Sequence, residues 1–467
     1  MNEASVIQKI KIEGTVELMS PLIIGAGDGA VGASVEVDSQ VVKDKAERPF
    51  IPGTSLAGAL RHWAWNTTNS TVALKDELDE DFDEVGISSI LFGDFNSKIG
   101  STQSAIIIND IVLEDANIVF REGVAIDSVV NVGIDGHKYD FEVVERGATG
   151  KLHIEITLRR VHENYLSELE QLIKTLVDQL KAGIRLGGST TKGFGKIASS
   201  DITAYFYDFS KFEEVKQWLC NKPSSNQYEG SLSNVSFATN TFYADIEGRI
   251  DSSLIIRDYG IDFKGEKINA VQFKSGKNGH LLPTIPGTTV KGVLRKQAEY
   301  ICRRLGIDES KLDPLMGIDL DFRTKQGAKS RFIVDEVYIS EGVKEVKQSR
   351  IRVDRFTGGV IDSALFTNIP LWQEKESGNN VKIHFEIERC QEWEAGLALC
   401  LIKDICTGRI PFGGEKSIGK GRIIGESVNI RYDGQEFNIK SFGENNEDDS
   451  ELLNLYLEEF ASLGEGV

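Results

Sequence analysis

RPFIPGTSLAGALR at residues 48–61 returns as LPTIPGTTVKGVLR at residues 282–295. Both fit the frame P-x-I-P-G-T-[ST]-[LV]-x-G-x-L-R, displaced by 234 residues from Ile51 to Ile285. Three more landmarks follow in the same order. LFG then AIIINDIVL (91–93, 105–113) answers LMG then RFIVDEVYI (315–317, 331–339), and VAIDS (124–128) answers RVDRF (352–356). Last, IRLGGSTTKGFGKI (184–197) answers IPFGGEKSIGKGRI (410–423), displaced by 226 residues from Gly187 to Gly413. Four landmarks in order at nearly constant displacement mean a tandem duplication.

Between the copies, residues 221–240 read NKPSSNQYEGSLSNVSFATN, a linker composition that places the boundary near residue 230. The expected division is a first repeat over 1–222, a linker over 223–238, a second repeat over 239–442 and an acidic tail over 443–467. Each repeat opens on an alternating strand, IQKIKIEGTVEL (7–18) and FYADIEGRI (242–250). A helix follows each Ile-Pro-Gly, expected over 55–65 and 289–304, with the Thr/Ser residues suited to capping its start. Leu166, Leu169, Ile173, Leu176 and Leu180 recur at three and four, which predicts an amphipathic helix over 163–181. Each half therefore reads β-α-β-β-α-β: an α+β chain of two tandem ferredoxin-like domains, an arrangement shared with RNA-recognition modules.

At 467 residues, 40% hydrophobic and 27% charged, the chain is neither disordered, collagen-like nor a coiled coil. It has no apolar run of membrane-spanning length, and residues 1–14 lack the apolar segment of a secretory signal, so a cytoplasmic protein with no membrane partner is expected. Five cysteines without a CxxC pair read as buried thiols. The net charge of -19 would argue against a nucleic-acid partner, but residues 75–84 carry -6 and residues 444–465 carry -8. Both runs read as solvated loop or tail. The rest of the chain is nearly balanced.

The Gly-rich loops match neither GxxxxGK[ST] nor a GxGxxG that opens a helix, which speaks against a nucleoside-triphosphate site. Two readings remain for them. Gly187, Gly188, Gly413 and Gly414 can expose amides to a phosphate chain, or they can make a tight turn that packs helix against strand. Cations flank both loops: Lys181, Arg185, Lys192 and Lys196 in the first, and Lys403, Arg409, Lys416, Lys420 and Arg422 in the second against Asp404 and Glu415. The helix starts add Thr54, Ser55, Thr288 and Thr289, with Arg61, Lys291 and Arg295 further along.

In their order and their double occurrence, these motifs resemble the RAMP superfamily, the repeat-associated backbone proteins of CRISPR effector complexes. The likeness is strongest to the type III backbone subunit, here as a two-repeat fusion like that of subtype III-D. It implies guide RNA lying over the Gly-rich loop and first helix, with paired target RNA and other RAMP and large-subunit proteins as partners. It also implies a "thumb" hairpin in each repeat, here over 125–145 and 351–366, with Ile126, Asp127, Asp354, Arg355 and Phe356 in it. Cleaving members carry an aspartate in a pattern like D-S-P-V-I-K-D upstream of Ile-Pro-Gly, and residues 38–44 read DSQVVKD with Gln40 in place of the proline. Asp38 is thus the implied catalytic residue and ligand of a divalent cation, Mg2+ or Mn2+, in an endoribonuclease. In the second copy INAVQFKSG (268–276) has no carboxylate and places Asn269 or a neighbour there, so that repeat is expected to bind without cutting. Asp258 and Asp262, upstream in RDYGID, could substitute if the loop folds back. Two other readings stand beside this one: a non-cleaving scaffold with the same partners, and a metal-free guide-processing nuclease built on histidine, although no histidine adjoins the Gly-rich loops.

Overall fold

In a computed structural model the protein is described over residues 4–25, 39–67, 71–74, 83–96, 100–126, 133–234, 240–259, 262–263, 266–321, 326–374, 378–440 and 447–464. The chain divides into two compact units, Met1–Thr190 with Phe194–Phe237 and Thr191–Gly193 with Ala238–Val467. Asp38, Asp127 and most of the acidic run at 75–84 lie outside the described residues.

In the first unit, β1 (Val6–Leu18), α1 (Gly53–Thr67), β2 (Ile106–Ile108), the hairpin strands β3 (Ile118–Ile126) and β4 (Gly133–Val144), β5 (Thr149–Arg159), α2 (Leu166–Ala182), β6 (Lys196–Ser199) and β7 (Thr203–Asp208) follow in order. β1 pairs antiparallel with β5, with Ile12 opposite Ile154, and on its other edge with β6 and β7. β5 carries β2 on its far side. The sheet order β7-β1-β5-β2, with a helix in each crossover, is the ferredoxin-like arrangement. Alternation explains which face is covered: Ile10, Ile12 and Val16 from β1 and Leu152, Ile154 and Ile156 from β5 are buried on Leu56 and Leu60 of α1 and Leu169, Ile173, Leu176 and Leu180 of α2.

The second unit repeats the plan with β8 (Phe242–Ile250), α3 (Gly287–Leu305), β9 (Phe332–Val334), the hairpin strands β10 (Gln348–Val353) and β11 (Val360–Ile369), β12 (Val381–Ile387), α4 (Glu392–Cys406), β13 (Ile423–Tyr432) and β14 (Gln435–Lys440). Its order is β9-β12-β8-β13-β14, the same central order with β14 at the edge where Gln227–Tyr228 pairs with β7 in the first unit. Among the described residues no helix is long and apolar enough to cross a membrane.

Four expectations are corrected. Both Ile-Pro-Gly helices start at the glycine, so the Thr/Ser residues lie inside the first turn, and the N-cap of α3 is Pro286, with no side-chain cap. Of the expected linker 223–238, the described residues 223–234 are held to the first unit: Tyr228 pairs with Ala204, its hydroxyl donates to Asp178 at 2.7 Å, and the buried Ser224 hydroxyl donates to Phe206 O at 2.6 Å. The C-terminal acidic stretch is not a solvated tail. It forms α5 (Glu447–Ser462), whose Tyr456 and Phe460 are buried in the second core because the apolar residues among its acids fall on one helical face. Finally, Cys220 is exposed. Burial pushes the Cys302 thiol up to about 11 and the Cys406 thiol up to about 12, so neither is reactive.

Candidate nucleic-acid interface

Three sequence motifs meet at one point in the first unit. The Gly188 N–H donates to Ile23 O at 2.7 Å, the Val42 N–H to Ile24 O at 2.9 Å, and Leu22 and Val144 exchange backbone bonds at 2.8 and 3.0 Å. Gly-rich loop, DSQVVKD segment and hairpin base are thereby tied to the end of one short stretch of chain. The Glu142 N–H donates to Ser39 O at 2.9 Å, so the residue following Asp38 is fixed to the foot of β4.

The second unit rebuilds this knot from different residues. Gly414 N–H donates to Ile255 O at 2.8 Å and Phe273 N–H to Ile256 O at 2.8 Å. Matching these bonds sets Ile24 against Ile256 and Val42 against Phe273, which puts Asn269 at the register of Asp38. The Asn269 amide oxygen accepts from Thr367 N–H at 2.8 Å, and its own N–H donates to Thr367 O at 2.8 Å. Asp258 is half-buried in the strand Arg257–Asp258, and Asp262 belongs to the strand Asp262–Phe263.

The loop glycines answer the choice left open by the sequence. The N–H groups of Gly188, Gly195, Gly414 and Gly421 donate to Ile23, Pro21, Ile255 and Ser253, and are therefore spent on the fold. Gly195 and Gly421 have φ of 78° and 84°, and a Cβ on either would stand 1.9 Å from the carbonyl of Leu186 or Phe412. Gly188, Gly195, Gly414 and Gly421 thus serve the tight turn, and Gly187 and Gly413 share its positive φ, at 84° and 80°. The start of α1 is also partly occupied, because the Asp110 carboxylate accepts from Gly53 N–H at 2.7 Å.

The basic and hydroxyl residues expected to face RNA separate into two groups. Thr54, Arg61 and Lys416 are exposed, and Ser55, Arg185, Lys192, Lys196, Thr288 and Thr289 are half-buried. Lys291 is buried and donates to Phe332 O at 2.9 Å, and its burial beside Arg295 and Lys329 brings its pKa down to about 7. Lys420, 4% exposed, pairs with Glu415 at 2.8 Å. Arg422 pairs with Asp251 at 3.3 Å, and Arg295 donates to Glu299 and to Gly317 O at 3.1 and 3.0 Å. Lys291 and Lys420, expected to face RNA, are corrected to interior roles. Alternation of charge within the loop cannot reveal which lysine turns inward.

Each unit carries a two-stranded hairpin at the expected place, although the first starts earlier, at Ile118. Ile126 is exposed, and at the second turn Phe356 is 95% exposed with Arg355 exposed beside it. Asp354 accepts from the N–H groups of Phe356 and Thr357 at 3.0 and 2.8 Å and so shapes the tip. Those backbone and Thr357 hydrogen bonds hold its carboxyl below the usual range.

The model of the RAMP superfamily matches residues 15–198 and 264–424, one region in each unit. The chain belongs to the RAMP superfamily. A Streptococcus thermophilus protein named CRISPR system Cms endoribonuclease Csm3 is 29% identical over 206 residues, which is 42% of this chain and 89% of that protein. A protein of the same name from Methanocaldococcus jannaschii is 26% identical over 215 residues, 42% of this chain and 79% of its own length. A Mycobacterium tuberculosis namesake is 54% identical over 56 residues, 11% of this chain and 22% of its own. Two RAMP repeats in one chain account for the two-fifths coverage, since each of the longer matches is about one repeat long.

Among the described residues no group of three His, Cys, Asp or Glu could hold a metal ion. Near Ser39, the Glu142 carboxylate is engaged by Val41 N–H at 3.1 Å and Lys43 at 3.6 Å.

Proposed function

We propose that this RAMP protein is a backbone subunit of a type III CRISPR effector complex, that it binds guide RNA along both repeats, and that it cuts paired target RNA at the first repeat only. The observation that carries the reading is the hydrogen-bonded knot of Gly-rich loop, residues 39–42 and hairpin base, built in both units with Asp38 in one register and Asn269 in the other. The names of the Csm3 relatives support the nuclease class. Asp38 orients the 2′-hydroxyl of the target for in-line attack on its own phosphate, and the foot of the hairpin splays the strand at that point. A divalent ion bound there with the phosphate would neutralise charge developing on the phosphoryl oxygens. Asn269 has no charge to offer and its amide is already bonded to the hairpin strand.

The test uses the assembled complex. With Asp38→Ala, guide and target should be retained and one cut in the target RNA should vanish while cuts made elsewhere persist, and chelation of divalent ions should remove the same cut from the unaltered complex. Cleavage at every position in the Asp38→Ala complex would leave the non-cleaving scaffold as the function.

A further inference from the structure

The second unit has a cleft at the foot of its hairpin with an unusual charge arrangement. Its floor is the Glu415 carboxylate, 9% exposed, facing three cations: Lys420 at 2.8 Å, Arg350 at 3.0 Å and Arg257 at 3.9 Å. Asn368 donates to the same carboxylate at 2.6 Å. Arg257 and Arg350 are 41% and 39% exposed, so the excess positive charge reaches solvent. Tyr259 and Phe366, 59% and 50% exposed, stand at the same cleft. The Asn368 side-chain amide oxygen is buried there and accepts no hydrogen bond among the described residues.

The hydrogen-bond register shows how this cleft departs from its first-repeat counterpart. Gly188 matches Gly414, so Ser189 stands where Glu415 does, and both have positive φ, 54° and 58°. Phe194 stands at the position of Lys420, and Arg121, opposite Phe141 in the first hairpin, at that of Gln348, opposite Asn368 in the second. In the first unit the Arg121 guanidinium lies 5.4 Å over the Phe194 ring; in the second, Lys420 donates to Gln348 at 2.9 Å. A ring stack has become an ionic floor, and Gly25 and Gly123 have become Arg257 and Arg350.

Resting on the RNA-binding reading above, the geometry points to this cleft as a clamp for one unpaired RNA nucleotide. The phosphodiester lies on Arg257 and Arg350, the base stacks on Phe366 or Tyr259, and the free Asn368 oxygen accepts from a base amino group or a 2′-hydroxyl. Planar guanidiniums suit a phosphate, and exposed rings suit any base, so the clamp selects single strands over duplex rather than one sequence. The carboxylate of the cleft lies buried under its cations and cannot take a proton from a 2′-hydroxyl, which makes the site one that holds without cutting.

The experiment uses the full-length protein and a short single-stranded RNA carrying 4-thiouridine and a fluorescent end label. Photo-crosslinked peptides should contain Tyr259 or Phe366, and blunt duplex RNA should compete poorly. Phe366→Ala and Tyr259→Ala, both at exposed positions that leave the core intact, should together weaken binding by roughly five-fold or more. Arg257→Ala should lower the slope of log affinity against log salt by about 0.7. Bound RNA whose crosslinks fall only elsewhere, with affinity unchanged in these variants, would overturn the clamp and leave the RNA-binding reading in place. Failure of the unaltered protein to bind RNA at all would overturn both.

Discussion

Lys416 and Lys420 stand four apart in one loop, yet they belong to different environments, and this fixes what each substitution does. Lys420 is buried against Glu415, so Lys420→Glu sets two carboxylates together away from water and should destabilise the second unit by about 3–5 kcal/mol. Lys416 is exposed, and Lys416→Glu should stay within about 0.5 kcal/mol in the same urea titration. Equal losses for the two would contradict the assigned burial. The same scale holds a pH-dependent pair on the open face of the second sheet, where His384 Nδ1 lies 2.7 Å from Asp245, itself 3.3 Å from Arg431. Burial works against the imidazolium, but the Asp245 hydrogen bond and the charges of Asp335 and Glu386 outweigh it and raise the His384 pKa. That contribution is full below the ordinary value of 6.5 and is lost as pH rises through the higher folded value. Burial likewise opposes the charged Asp245, yet His384 and Arg431 hold its pKa below 3.8, so its contribution survives until pH falls through that lowered value. His384→Gln should therefore cost about 1 kcal/mol or less near pH 5.5 and still less near pH 8.5. A cost that grows with pH would reverse the assignment.

At the scale of elements, α5 is where composition and pattern disagree. Its acids suggest a solvated tail, but Leu452, Leu453, Tyr456 and Phe460 sit at one, four and eight residues from the first, and that spacing builds a packing face. Gly396 in α4 lets the two helices touch, since a Cβ there would stand 2.1 Å from Tyr456 O. Phe460→Ala should cost about 3–5 kcal/mol by denaturant titration, and a value near zero would restore the tail. The duplication and the paired β-α-β-β-α-β order were legible because repeats and period-two alternation can be read along the chain, whereas the hairpins were expected only from the family resemblance. The ionic floor of Glu415, Lys420, Arg350 and Arg257 was not, because its members come from three separated segments and only strand register joins them. The choice between amide donor and tight turn stayed open in the sequence for a related reason: the N–H partners of Gly188 and Gly414, Ile23 and Ile255, lie some 160 residues away.

For the whole molecule, duplication has let two copies of one sheet diverge at the foot of the hairpin while both cores stayed ferredoxin-like. One copy has the DSQVVKD segment in its sequence and a ring stack in its loop; the other has Asn269 and a buried ion cluster. The same view resolves the charge. A chain of net charge -19 can hold RNA if its cations face the nucleic acid and its acids do not, and -14 of that charge sits in two runs apart from the Gly-rich loops in sequence. With Lys420 removed from the set, the lysines left on the loops are Lys192, Lys196 and Lys416. Replacing these three with Glu should leave the circular dichroism spectrum close to that of the unaltered protein, because Lys416 is exposed and Lys192 and Lys196 half-buried, whereas Lys420 is 4% exposed against Glu415. RNA affinity should fall at least tenfold, and the slope of log affinity against log salt should shrink by about 2, roughly 0.7 for each single-strand phosphate no longer neutralised. The salt slope separates this from a change in fold, since a misfolded protein loses signal at every salt concentration. An intact variant with an unaltered slope would mean that RNA is held by surfaces other than the Gly-rich loops.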